Sequence, residues 1–169
     1  MFTLLLINFP ICSARSISLT IFFFLTGFAA EWVGVHYGLL FGAYHYGDNL
    51  GYKVDGIPLL IGINWALLTL STAAISQHYV SNKWLRAAFG AFLMIALDFF
   101  IEPAAPLFDF WYWDIGHAPV QNFVAWFGIA FVLHTVYVKS NIIGMFRISA
   151  HVFLAQLVFF IYFSFYHGI

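Results

Sequence analysis

The chain has 169 residues, of which 63% are hydrophobic, 22% aromatic and only 8% charged, with a formal net charge of -1. A soluble domain carries about 25% charged residues, so this composition excludes an ordinary soluble globule and makes the chain an integral membrane protein of one compact domain. Six scattered basic residues leave no nucleic-acid footprint, and a single cysteine, Cys12, excludes an internal disulfide framework or a CxxC metal or redox motif.

In chain order, the opening "MFTLLLINFP" is apolar but too short to span a bilayer. It lacks a basic n-region and a small-residue cleavage site, so residues 1–15 are expected as an interfacial segment, or as the remnant of another span in a longer relative, rather than a signal peptide. Five stretches then have the length and apolarity of membrane helices: Ser16 to Gly38, Ile57 to Tyr79, Trp84 to Glu102, Ala118 to Val138, and Ser149 to His167. The predicted fold class is an all-α, polytopic membrane helix bundle of about five transmembrane helices. Arg15, Lys83, Arg86, Lys139 and Arg147 flank one side of these spans, against Lys53 alone on the other. The positive-inside rule therefore places the N-terminus in the cytoplasm.

With that orientation all seven carboxylates fall on or near the outer side: Glu31, Asp48, Asp55, Asp98, Glu102, Asp109 and Asp114. Three of them lie at outer helix ends. Asp98 and Glu102 are one helical turn apart, with β-carbons about 6 Å from one another, and Pro103 is expected to end their helix. Burial, a like-charged neighbour and the helix C-terminus all favour the neutral acid at such a place, so one of the pair is expected to hold a proton it can donate. Glu31 sits in "GFAAEWVGVHYGLLFGAYHYG". The plainer alternatives are a solvated Glu102 at the interface, and Asp98 or Glu31 hydrogen-bonded structurally to a Trp, Tyr or Asn of a neighbouring helix.

Other residue types are less specific. Gly34, Gly38 and Gly42 recur every four positions, as in close helix packing. Seven histidines form no HxxH or HxxxH cluster, so no metal site is expected; His36, His45 and His117 lie on the acidic side, where they could assist proton transfer. No GxGxxG or GxxxxGK motif calls for a nucleotide or flavin, and no cofactor is expected. Trp32, Trp65, Trp111, Trp113 and Trp126 gather on the acidic side, while Trp84 alone falls on the other. Interfacial belts account for many such residues. Aromatic faces also stabilise a cation, by about 0.5–2 kcal/mol each, and an acid-bearing aromatic chamber suits a substrate that becomes cationic.

The segments "EWVGVHYGLLFGAYHYGDNLGYKVDGIPLLIGINW", "LDFFIEPAAPLFDFWYW" and "APVQNFVAWF" resemble the carotenoid-biosynthesis membrane protein family, which includes carotenoid hydratases such as bisanhydrobacterioruberin hydratase. The motif residues are Glu31, Gly34, Phe41, Gly42, Tyr44, Tyr46, Pro58, Trp65, Asp98, Glu102, Pro103, Trp111, Trp113, Pro119, Asn122, Phe123 and Trp126. Members of that family are often longer, with further spans before the first acid. The resemblance implies hydration of the terminal double bond of an acyclic isoprenoid end, giving a tertiary alcohol. It implies a hydrophobic carotenoid substrate in the lipid bilayer of the cell (inner) membrane, with other carotenoid-biosynthesis enzymes as candidate partners. The expected catalytic acids are Asp98, Glu102 and Glu31, with Asp98 preferred as proton donor and a glutamate as base. Trp32, Tyr44, Tyr46, Asn64, Trp65, Trp111, Trp113, Asn122 and Trp126 are the expected substrate-binding residues. A non-catalytic carotenoid-binding or assembly subunit, or a small proton-coupled transporter, are the alternatives from other classes.

Overall fold

Ser13 starts the first helix: its Oγ accepts the backbone N–H of Ser16 at 3.1 Å, capping an end that otherwise leaves donors unsatisfied. Helix α1 (Ala14–Tyr37) closes on Gly38, whose left-handed φ of 62° lets its N–H reach the Gly34 carbonyl at 2.9 Å. The structure is a computed structural model and describes residues 13–166. The expected interfacial segment up to residue 12, with Cys12, and His167 lie outside the described residues.

After α1 the chain forms a loop layer with strand β1 (Tyr44–Tyr46) and a small hairpin of β2 (Lys53–Val54) and β3 (Ile57–Pro58). Asp55 and Gly56 turn the hairpin with φ of 51° and 81°, the positive pair that a two-residue Asp-Gly turn requires. Then follow α2 (Leu59–Tyr79), α3 (Lys83–Ala104), a 3-10 turn at Pro106–Phe108, β4 (Trp111–Trp113), α4 (Val120–Ser140) and α5 (Phe146–Tyr166). All five helices are long and apolar enough to cross a membrane.

Helix α2 is the axis of the bundle. Every residue from Trp65 to Ser76 is buried, and α1, α3, α4 and α5 all pack against it. Two of its hydroxyls are satisfied by its own backbone, Thr72 Oγ1 by donating to Leu68 O at 2.7 Å and Ser76 Oγ to Ala73 O at 2.9 Å, and Thr69 Oγ1 donates to Met94 Sδ at 3.8 Å. Such internal bonding allows polar residues in a dry interior. His134 of α4 is buried against Gly90 of α3, where a Cβ would overlap its ring, and is bonded to Thr72 and to the Ala130 carbonyl. That histidine locks three helices together.

The two ends of the bundle differ. At the basic end the connections are short and tied down: Arg15 Nη1 donates to Ser140 O at 3.2 Å, Gln77 Nε2 to Ile142 O at 3.1 Å, and Arg86 Nε to Val80 O at 3.0 Å. At the acidic end residues 38–58 and 105–119 form a cap. Strands β1 and β4 pair antiparallel there, with Tyr44 opposite Trp113 and Tyr46 opposite Trp111.

Two expectations need correction. Pro103 does not end α3, which continues to Ala104, because the Ala105 N–H still reaches Ile101 O at 2.8 Å and closes the final turn around the proline. The glycine series from Gly34 is not a helix-packing seam. Gly34 leaves room for Phe41 and the Tyr44 hydroxyl, Gly38 is the helix cap, and Gly42, at φ 109°, lies against Pro119 in the loop layer. Close helix contact falls on other glycines, with Gly27 under Trp65 and Gly62 under Phe24.

Candidate active site

Three carboxyl groups from two helices meet beneath the cap. Glu31 comes from the last two turns of α1, and Asp98 and Glu102 from the last two turns of α3. All three are buried, at 3%, 3% and 8% exposure, which is rare for acids without a basic partner. Among the described residues no Lys or Arg bonds to any of them. Their partners are neutral N–H and O–H groups.

Glu31 is held from the loop layer and from α2. Its Oε2 accepts from Tyr44 Oη at 2.5 Å and Tyr46 Oη at 2.7 Å, and its Oε1 from Trp65 Nε1 at 2.8 Å. Successive strand side chains point to opposite faces, so the i, i+2 spacing of the two tyrosines presents both hydroxyls to one carboxylate. Burial first, and the Glu31 carboxylate second, push the Tyr44 and Tyr46 phenols well above their ordinary range. Both tyrosines therefore stay O–H donors at any working pH.

Glu102 is held by the facing strand. Its Oε2 accepts from Trp113 Nε1 at 2.6 Å and Trp111 Nε1 at 3.0 Å. Its Oε1 accepts from Asn122 Nδ2 at 3.0 Å, and the same amide nitrogen donates to Asp98 Oδ2 at 3.1 Å. Asn122 lies in the first turn of α4, so the pair on α3 is bridged from the helix packed against it. Glu31 and Glu102 each accept three hydrogen bonds, whereas Asp98 accepts only this one among the described residues.

The acids border a chamber with free volume of about 30 Å³, lined also by Phe41, Ile61, Leu68, Ile101 and the aromatic rings. That is room for about one water molecule. Trp65 and Trp126 stack on each other in its wall with ring centroids 3.8 Å apart, and Tyr44 and Trp113 lie 4.9 Å apart. Two larger cavities adjoin. An apolar groove of about 570 Å³ shares Ile61, Asn64, Ile101 and Trp111 with the chamber. A cleft of about 550 Å³ on the opposite flank shares Glu102 and Trp113, and is bordered by Tyr112 and His117.

Eleven of the twelve residues expected at the site line this chamber: Glu31, Tyr44, Tyr46, Asn64, Trp65, Asp98, Glu102, Trp111, Trp113, Asn122 and Trp126. Trp32 does not. One residue on from Glu31, it is turned about 100° around the helix, and its Nε1 donates to Asp55 Oδ2 at 2.6 Å. That indole N–H holds the Asp55 carboxyl below the usual carboxylate range, so Trp32 pins the β2–β3 hairpin. The acidic-side histidines are also elsewhere. His36 lies 3.3 Å from Asp55, His45 lies 3.7 Å from Asp114, and His117 borders only the flanking cleft. Phe41 also lines the chamber; an apolar ring carries no chemical signal of its own, and its place in the "FGAYHY" motif is the one sign of it in the sequence.

A family model described as "carotenoid biosynthesis protein" matches residues 1–167. No curated protein and no solved structure matches the chain. The chain belongs to the carotenoid biosynthesis protein family.

Proposed function

We propose that this family member is a carotenoid hydratase of the cell (inner) membrane, adding water across the terminal double bond of an acyclic isoprenoid end group. One observation carries the reading: three buried carboxyls converge on a single aromatic chamber and are bonded only by neutral donors. Alkene hydration needs an acid to deliver a proton, a surface that tolerates the carbocation, and a base to take a proton from the attacking water. Each need has a counterpart in the chamber.

Asp98 is the proton donor. With one hydrogen bond accepted, it has an oxygen available to carry a proton, whereas the donors crowded around Glu31 and Glu102 match carboxylates. Its O–H adds to the less substituted alkene carbon; the π pair forms the new C–H bond, and a tertiary cation remains beside an aspartate carboxylate. The rings of Tyr44, Trp111 and Trp113 and the edges of the stacked Trp65–Trp126 pair line the chamber around that cation. Water attacks the cation to form the C–O bond, and Glu102 takes the water's proton. Glu102 suits the role of base because it borders both the chamber and the flanking cleft, from which water can enter. Return of that proton from Glu102 to Asp98 through water in the chamber restores the site. The net change is addition of one water, with no electron transfer.

The test is expression in a lycopene-accumulating bacterial host, with pigments resolved by liquid chromatography and mass spectrometry. The wild-type chain is expected to yield a pigment heavier by one water. Asp98→Asn should lower its yield by about 10²–10⁴-fold, the usual contribution of a positioned acid. A hydrated pigment that persists in Asp98→Asn overturns the donor assignment. Lycopene bound to the purified protein but never hydrated would favour a carotenoid-binding subunit.

A further inference from the structure

We propose that the groove between α2 and α5 is the binding site for the body of a long linear polyene, whose end group enters the acid chamber past Asn64 and Trp111. This rests on the hydratase reading for the identity of the ligand. It rests on the cavities themselves for its location.

The chamber cannot hold the substrate alone. Its free volume of about 30 Å³ is that of about one water, so the rest of any isoprenoid chain must lie in an adjoining space. Two spaces adjoin. The flanking cleft carries Glu102, His117 and Tyr112 on its walls and lies among the cap loops. The α2–α5 groove is almost wholly apolar, and its volume of about 570 Å³ is within the usual range for a small-molecule site. Along α5 it extends from Ile148 to Phe160, roughly 18 Å at the rise of an α-helix. That is a little over half the thickness of a bilayer's hydrocarbon core. A linear polyene fits such a slot lengthwise, and its far end can continue into lipid.

The partition between groove and chamber is suited to opening. Ile61 and Asn64 are fixed on α2 and Ile101 on α3, but Trp111 sits on the short strand β4 and is only partly buried. Its indole donates to Glu102 at 3.0 Å, so an entering end group that displaces the ring also frees an oxygen of Glu102 to accept from water. The Asn64 amide lines both spaces and has no hydrogen-bond partner among the described residues. It is placed to hold a water where the chain end arrives.

Ala155 lines the groove from α5, while Leu154 faces away from it and is 53% exposed. The experiment compares the acyclic carotenoid retained per protein, lycopene and its hydrated product counted together, when wild type, Ala155→Trp, Leu154→Trp and Asp98→Asn are purified from lycopene-accumulating membranes. Wild type, Leu154→Trp and Asp98→Asn are expected to retain it, and Ala155→Trp to lose it at least ~10-fold, equivalent to about 1.4 kcal/mol. Equal retention by Ala155→Trp overturns the groove, as does a wild type that retains none. Asp98→Asn separates the two ideas: retained lycopene that is still hydrated sinks the proposed chemistry and leaves the groove to be judged by Ala155→Trp. Against a folding defect, Ala155→Cys in a Cys12→Ser background is labelled with a bulky maleimide after purification. Lycopene should slow that labelling, and an unchanged rate overturns the proposal.

Discussion

The Asn122 amide directs both of its N–H groups at carboxyl oxygens, one on Asp98 and one on Glu102, at 3.1 and 3.0 Å. A hydrogen bond to a charged group contributes about 1.5–3 kcal/mol. Asn122→Ala removes both bonds and leaves two acids on one helix face with no shared donor. Hydrated-pigment yield should fall at least ~10-fold, since 1.36 kcal/mol is a factor of ten in rate, while lycopene retention stays at the wild-type level. Loss of retention together with activity would make Asn122 only a brace for α4. Part of this residue-level arrangement was readable beforehand. The i, i+4 spacing of Asp98 and Glu102 puts them on one face whatever surrounds them, and an asparagine in an apolar helix invites a buried partner. For Glu31 a Trp or Tyr partner was readable as a residue type, but the two strand tyrosines were not, because their place depends on how far the chain folds back after Gly38. Trp32 was misplaced for a simple reason: adjacency to an acid in sequence is a different direction on a helix.

At the scale of elements, the cap explains why the acids are held firmly at one end of a membrane bundle. Strand β1 supplies two phenols to Glu31 and β4 two indoles to Glu102, and the two strands are paired to each other. Each acid's clamp is therefore set by the same ladder. Gly47 extends the pairing, with its N–H donating to Phe110 O at 2.9 Å, and a Cβ there would lie 2.4 Å from the Asp109 carbonyl oxygen. Backbone cannot yield as a flexible side chain can. Gly47→Ala should cost about 1–3 kcal/mol, typical of overpacking, seen as a lower thermal midpoint of the purified protein and a loss of hydrated pigment. Gly128→Ala is the control, since nothing lies within 4 Å of its added methyl; it should leave both readouts unchanged. A Gly47→Ala protein as stable and active as the control would mean the ladder does not hold the clamps. The five helices were legible to within three residues at each boundary, because sustained apolarity is a strong signal over 20 residues. The strands were not, being three residues or shorter. Their trace was the alternation in "YHY" and "WYW", where the outer positions face the acids while His45 and Tyr112 stack on the far side at 5.5 Å.

At the scale of the whole molecule, charge and chemistry are segregated along the bundle axis. The acid chamber, its two flanking cavities and the loop cap lie at one end, and Arg15, Lys83, Arg86, Lys139 and Arg147 at the other. Which helices are neighbours was not legible, since five apolar spans with small moments can pack in many orders, and the α2–α5 groove depends on that order. The polarity was legible, because it follows from counting basic residues at the two sets of helix ends. If the basic end faces the cytoplasm, the chamber opens toward the outer leaflet, where water meets the end of a lipid-dissolved polyene. This is measurable with two single-cysteine chains in a Cys12→Ser background. Ile115, 61% exposed in the cap, becomes Cys in one. Ser81, in the exposed link between α2 and α3, becomes Cys in the other. A membrane-impermeant maleimide applied to intact spheroplasts should label Ile115→Cys at once and Ser81→Cys only after permeabilisation. The reverse pattern would turn the bundle over and put the chamber on the cytoplasmic side, which would make the cytoplasm the source of both water and polyene. Labelling of both sites before permeabilisation would deny that α3 and its neighbours cross the bilayer as a unit. In the expected orientation, a polyene entering from the cytoplasmic leaflet would have to reach across the membrane for its end to meet the chamber, and under the proposed reading the groove running lengthwise along α5 is the shape that would guide it there.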